Sequence, residues 1–288
     1  MKRILCVLFL LSSINAIAKE TIQVVFPFLV APVFGHKLIE EANKIQDDWY
    51  FIIVPKPGAG GEIAINNVIN NKNKTLLMTN SSFFIRSEIY DKSSYHVLQF
   101  KLLTLQCDLP MVVVSKKYKS FSDIQKSQRL TVGVSGLGTA THIVASELMK
   151  QFININAIPY NNGSSATLKA VLSDDVDLSV GILKQWQGTI EAGSITALGI
   201  TGNISYLNIP TLKGIVDIPN NYFLVAHKDI ASRIYEEWKK IFEQVNASST
   251  ILASYKDEFC TPIKSSSTWI NDQQQHWKKL TKDVKVEQ

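Results

Sequence analysis

Short apolar runs alternate with stretches of helical periodicity along most of the chain. The runs are 22–26 (IQVVF), 50–54 (YFIIV), 75–78 (TLLM), 111–114 (MVVV), 130–135 (LTVGVS), 155–160 (INAIPY), 176–180 (VDLSV), 195–201 (ITALGIT) and 222–226 (YFLVA). Each is short, and most are rich in β-branched residues, which reads as strand rather than buried helix. Between them lie helical patterns over 36–45, 62–70, 83–90, 139–152, 164–172 and 184–192, with two more over 230–245 and 267–282. In the first, Leu38, Ile39, Ala42 and Ile45 fall on one face. Strand alternating with helix predicts doubly wound parallel sheets. Two sheets are expected, the first from residues up to about 108 and the second from about 115 to 210. A return of the 222–226 strand and the last helices to the first sheet would give two lobes, with a cleft where they join.

The N-terminus stands apart from this pattern. Lys2 and Arg3 precede an apolar stretch over 4–14, and Ala16-Ile17-Ala18 supplies small residues at a cleavage spacing. This predicts a secretory signal peptide over 1–18 and a periplasmic protein. No later segment reaches the roughly 18 apolar residues of a membrane span. The net charge of +5 falls to +3 once Lys2 and Arg3 are removed. That is too mild to argue for nucleic acid.

Cys107 and Cys260 remain after such processing. An oxidising compartment permits a bridge between them. Two cysteines so far apart also read as buried thiols, and that reading is preferred here. Their spacing resembles no metal site, and no cofactor is implied.

Three strand-to-helix turns are candidates for ligand chemistry: FPFLVAPVFG at 26–35, SGLGTATH at 135–142 and PYNNGSSA at 159–166. Ligands of open α/β sheets sit at the carboxyl ends of strands, where helix N-termini gather. Unpaired amides and a partial positive charge make such ends favourable to anions. In the second turn Gly136 and Gly138 allow close approach, Thr139 is a natural cap, and Ser135 and Thr141 add hydroxyls. The cup has no cationic side chain, which suits a carboxylate. An ordinary capped helix, its hydroxyls serving its own backbone, fits the same residues. The PGAGG turn at 57–61 is followed by Glu62 and Ile63, so it lacks both the Lys of a phosphate loop and the spacing of a dinucleotide loop. It reads as a tight turn that seats the 62–70 helix and lines the cleft. His142 reads as a packed or capping histidine, and the Asp174, Asp175, Asp177 cluster as a solvated turn. No nucleophile pairs with a base, which leaves an enzyme using His142 or Asp177 as the weaker reading.

The stretch FIIVPKPGAGGEIAINNVI at 51–69 resembles a block of the extracytoplasmic solute receptors of tripartite tricarboxylate transporters. LTVGVSGLGTATHIVASELMK, IPYNNGSSATLKAVLSDDVDL, IEAGSITALGIT and IPTL follow in that family's order and spacing. The resemblance covers essentially the whole mature chain and weakens after about residue 220. It implies a type II periplasmic-binding-protein fold, α/β with two lobes around a hinged cleft: lobe 1 from 19–110 and 215–288, lobe 2 from 111–214. It implies a monomeric, non-enzymatic receptor that captures a small organic acid and delivers it to integral-membrane permease subunits. The ligand carboxylate would lie between the first turn and residues 135–142. Contacts are expected from Phe28, Val30, Ala31 and Ser81 in the first lobe, and from Ser135, Thr139, Ala140, Thr141, Asn162 and Gly181 in the second. The chain departs from the family where paired glycines and an Asp would follow the first strand. It departs again at Pro55 or Lys56, where the family has Asn, and at Gly181, where it has Asp. These departures keep open an alternative: a receptor relic or interaction protein that has lost its small ligand.

Overall fold

The computed structural model describes residues 19–90, 93–124, 129–152, 155–160 and 163–284. The expected signal peptide and Asn162 lie outside the described residues. Among the described residues the chain runs β1 (Glu20–Phe26), α1 (Val33–Lys44), β2 (Trp49–Pro55), α2 (Glu62–Asn70), β3 (Thr75–Asn80), α3 (Ser82–Ile89), β4 (Phe100–Asp108), β5 (Met111–Ser115), α4 (Phe121–Ile124), β6 (Leu130–Val134), α5 (Ala140–Gln151) and β7 (Ile155–Pro159). It continues α6 (Ser164–Leu172), β8 (Leu178–Ile182), α7 (Leu183–Glu191), β9 (Thr196–Ile200), β10 (Asn221–His227), α8 (Ser232–Asn246), α9 (Ser249–Asp257), β11 (Thr261–Pro262) and α10 (Trp269–Leu280).

The strands form two sheets, ordered β11-β4-β10-β3-β1-β2 and β7-β6-β8-β5-β9. Neither is wholly parallel, contrary to the expectation from alternation. β10 runs antiparallel to β3 and β4, and β5 runs antiparallel to β8 and β9. The exceptions have a common cause. β5 and β10 are the strands that follow the two passages between sheets, and each enters its new sheet from the cleft side. β3 and β10 are buried along their whole length, which fits their unbroken apolar runs.

Helices cover the first sheet. In α8 the buried residues Trp238, Phe242 and Val245 recur at helical spacing, and Trp238 and Phe242 pack edge-on against Phe51. On α10, Trp269 meets Phe84 and Phe223 in the same manner.

The two passages run side by side at the neck between lobes. Asn220 N–H donates to the Asp108 carboxylate at 2.8 Å, Leu109 N–H donates to the Asn220 carbonyl at 3.1 Å, and the Asn220 amide donates to the Leu109 carbonyl at 3.3 Å. Burial pushes the Asp108 carboxyl up, against the hydrogen bond from Asn220. Beside them Cys107 and Cys260 form a disulfide, which corrects the preferred reading as free thiols. The cause is the pairing of β11 with β4, which places Pro262 opposite Cys107 and brings the two Cα atoms to 5.5 Å.

Candidate functional site

A chamber of about 520 Å³ lies between the lobes at the edge where strand ends converge. The parallel strands β1, β3, β6 and β8 bring their carboxyl ends here, and with them Phe28, Asn80, Ser135 and Ile182. The antiparallel β5 and β10 bring their starts, which explains why Met111, Asn220 and Tyr222 line the same space. The starts of three helices reach it: Ser82 of α3, Ala140 and Thr141 of α5, and the segment Gly163, Ser164, Ser165 and Ala166 at α6. Tyr222 is buried among the Asn80 and Asn220 side chains. Burial pushes its phenol up to about 12, so at neutral pH it is a hydrogen-bond donor.

The turn before α5 is held by its own hydroxyls. Thr139 caps the helix by accepting His142 N–H at 3.3 Å, and its hydroxyl lies 2.8 Å from both the Gly136 carbonyl and the Thr141 hydroxyl. Thr141 in turn accepts Ser135 N–H at 3.0 Å. The two threonine hydroxyls therefore shape the corner rather than reach into the space. What the corner offers a guest is backbone: the Ala140 and Thr141 amides precede the first i→i−4 bond of the helix, from Ile143 to Thr139. The Ser135 hydroxyl adds to them; among the described residues it has no hydrogen-bond partner. His142 is buried. Its Nδ1 accepts Gly138 N–H at 3.3 Å, and burial holds its pKa below the ordinary value. The ring is thus a neutral acceptor that fixes the turn.

In the first lobe the arrangement differs from expectation. Phe28 and Val30 line the chamber, with Leu29 between them. Ala31 does not: it is buried in the core ahead of α1. Ser81 does not: its hydroxyl accepts Asn221 N–H at 2.9 Å and joins α3 to β10. Its neighbour Ser82 lines the chamber instead. Gly181 likewise stands behind the wall. Strand alternation turns it away, and an added Cβ would lie 2.1 Å from the Trp186 ring; Ile182, one position on, faces the space. The first amides of α1 are occupied from within the chain. The Glu258 carboxylate accepts Phe34 N–H at 2.6 Å and Val33 N–H at 3.3 Å. Burial pushes this carboxyl up, while the two amides pull it down. Glu258 was not legible as a site-shaping residue, because it lies 224 positions from Phe34.

A second chamber of about 430 Å³ adjoins the first, sharing Phe28, Leu29, Ser135, Thr139 and Gly163 with it. Its first-lobe wall is the glycine turn at 58–61 together with Arg86 and Tyr90. Cations thus enter the cleft from outside the 135–142 cup, which itself carries none. Lys169 lines the larger chamber and Arg86 the smaller.

Neither His142 nor Asp177 lines a chamber. Both Thr131 N–H and the Thr131 hydroxyl donate to the Asp177 carboxylate, at 3.0 and 3.1 Å, and this joins β6 to the turn before β8. Among the described residues no group of three or more His, Cys, Asp or Glu side chains is placed to hold a metal ion, and no helix is long and apolar enough to cross a membrane.

Residues 40–285 match the TctC family, described as the tripartite tricarboxylate transporter family receptor. The chain belongs to this receptor family. Solved structures agree on the fold. The periplasmic binding protein BugD superposes on the receptor with a TM-score of 0.81 at 18% identity, covering 91% of this chain and 97% of its own. An R. palustris protein solved with adipate gives 0.81 at 18%, covering 91% and 96%. MatC from Rhodopseudomonas palustris, with bound malate, gives 0.78 at 16%, covering 90% and 98%. No curated protein matches the receptor's sequence.

Proposed function

We propose that this receptor captures a small organic carboxylate in the interlobe cleft of the periplasm and delivers it to the membrane subunits of a tripartite transporter. The carrying observation is the convergence of helix starts on one chamber: the open amides of α5 and α6 and the start of α3 face the same space. Helix N-termini favour a carboxylate through their partial positive charge and free donors. Ser135 and Tyr222 add side-chain donors, and Phe28, Leu29, Val30 and Ile182 supply apolar contact for a carbon skeleton. Adipate and malate in the related structures are carboxylates of this kind. The family role is that of a solute-binding receptor, so no turnover is expected. Export through a cleaved signal peptide over 1–18 and a monomeric state complete the reading.

The ligand contacts proposed are Phe28, Val30, Ser135, Ala140 and Thr141, with Thr139 holding the corner in shape. Closure of the lobes around the guest would exclude water and strengthen these hydrogen bonds. A thermal-shift screen of mono-, di- and tricarboxylates tests the proposal. The receptor gains stability with ligand concentration, as linkage requires. The alternative, a relic without a small ligand, draws support from Glu258, which already fills the start of α1. It predicts no shift with any acid in the screen.

A further inference from the structure

Arg86 is the most buried cation at the cleft. It is 7% exposed, grows from α3 in the first lobe, and crosses to the second, where Nη1 donates to the Leu137 carbonyl at 3.3 Å. Its guanidinium lies 4.1 Å over the Tyr90 ring. Two turns, one from each lobe, are shaped around it. A Cβ at Gly60 would lie 2.1 Å from Nη1, and one at Gly138 would lie 3.0 Å from Cγ; both positions have positive φ. The charge is poorly answered. Glu62, its acidic partner, stands 3.8 Å away, beyond hydrogen-bond reach, and among the described residues Nε has no partner at all. A guanidinium carries five donors, and this one makes a single long hydrogen bond. A buried donor without a partner is costly, and a buried charge more so. The same side chain lines the smaller chamber, next to the glycine turn that opens α2.

We propose that this smaller chamber is a second anion subsite, centred on Arg86. It would take a carboxylate or sulfonate on the far end of a ligand whose first carboxylate sits at the start of α5. The two chambers share Ser135 and Thr139, so one guest can occupy both. The arginine suits the task because its planar fork matches a carboxylate bidentately. Glu62 acts against binding, since a dianion must compete with it for the guanidinium. The inference rests on the carboxylate-receptor reading and adds charge recognition at the far end.

The test compares succinate, glutarate and adipate with their monomethyl esters by calorimetric titration. In the unaltered receptor at least one diacid binds about tenfold or more tighter than its ester. Arg86→Gln brings that ratio to within about twofold, the loss falling on the diacid more than on the ester. Glu62→Gln, which keeps the side chain's shape and removes its charge, raises the ratio about threefold. It carries the test alone should Arg86→Gln fail to fold. A ratio that moves in neither variant overturns the subsite. So does an Arg86→Gln that weakens diacid and ester equally, which would mark a lobe-positioning role. Esters that bind as well as diacids also refute the subsite but leave the carboxylate-receptor reading intact. Absence of binding by every acid and ester removes that reading, and the subsite with it.

Discussion

The Glu258 carboxylate accepts the Phe34 amide at 2.6 Å, so the start of α1 carries an anion supplied by the chain itself. The first-lobe turn, which lacks the glycines and Asp that the resemblance leads one to expect, thus has its leading amides occupied from within the chain. A helix start already answered by a buried carboxylate has little left for a guest. Glu258→Ala orphans two amides, and unfolding titrations should report a loss of about 1–3 kcal/mol. The ligand shift in the thermal screen should survive, because the α5 and α6 starts are untouched. A shift that grows instead would place the guest at α1, on the amides the carboxylate vacates.

Thr139→Val removes the cap on α5 and the hydroxyl that organises residues 136–141. The cap alone is worth about 1 kcal/mol. The expected outcome is a modest loss of stability together with a loss of carboxylate binding of about tenfold or more, because the corner amides lose their alignment. Ser135→Ala, by contrast, should weaken binding with no change in the stability of the empty receptor. Equal binding by both variants and the unaltered receptor would refute the corner as the anion site.

Three histidines set a pH dependence. Burial lowers His142, His227 and His276 from the ordinary 6.5. A histidine depressed in the folded state takes up more protons when unfolded. Stability therefore falls as pH drops below about 6.5 and keeps falling to the depressed value. Asp108 and Glu258 are raised by burial and act with the opposite sign, recovering stability as pH falls toward their ordinary values. Denaturant midpoints should drop between pH 7.5 and 5.5, and the drop should be smaller in His142→Gln. A midpoint that is flat or rises over this interval contradicts the assignment.

The disulfide closes a long loop, because its cysteines lie 153 residues apart. Chain-entropy arguments put the stabilisation from such a loop at up to about 5 kcal/mol. Cys107→Ser with Cys260→Ser should lower unfolding free energy by about 2–5 kcal/mol, read from denaturant titration without reductant. No change would mean that β11 holds to β4 without the bond.

Much of this architecture was legible in the spacing of apolar runs, and the exceptions are instructive. β4 escaped because Thr104 and Gln106 are polar yet buried, which breaks the run that marks a central strand. α9 escaped for lack of a clear apolar face: in STILASYKD the buried positions are Ile251, Ser254 and Tyr255. In the cleft, the corner at 135–141 was visible because glycines and hydroxyls sit together in sequence. Asn220 and Tyr222 were not, since only the return passage brings them to that edge. Gly181 missed by one position, the parity error to which alternating strands are prone, and Ser81 missed Ser82 at a helix start in the same way. PYNNGSSA reads as a strand-to-helix turn, so the glycine and serines that open α6 are within reach of the sequence. Arg86 and Glu258 carry no local signature at all; their roles come from partners 51 and 224 positions away.

The cystine at the neck also has a topological consequence. The covalent ring it completes contains the whole second sheet together with β10, α8 and α9 of the first lobe, so the insert is closed within a larger loop. If the second sheet unfolds, it does so inside that closed loop, with its ends held side by side by the Asn220 bonds to Asp108 and Leu109 while the first lobe stays folded. The adjacent passages at Leu109 and Asn220 make the lobe a natural unit of exchange. A relative's 111–200 segment, grafted above an unchanged neck, would carry its own amide corner onto this first lobe and leave Arg86 waiting across the gap.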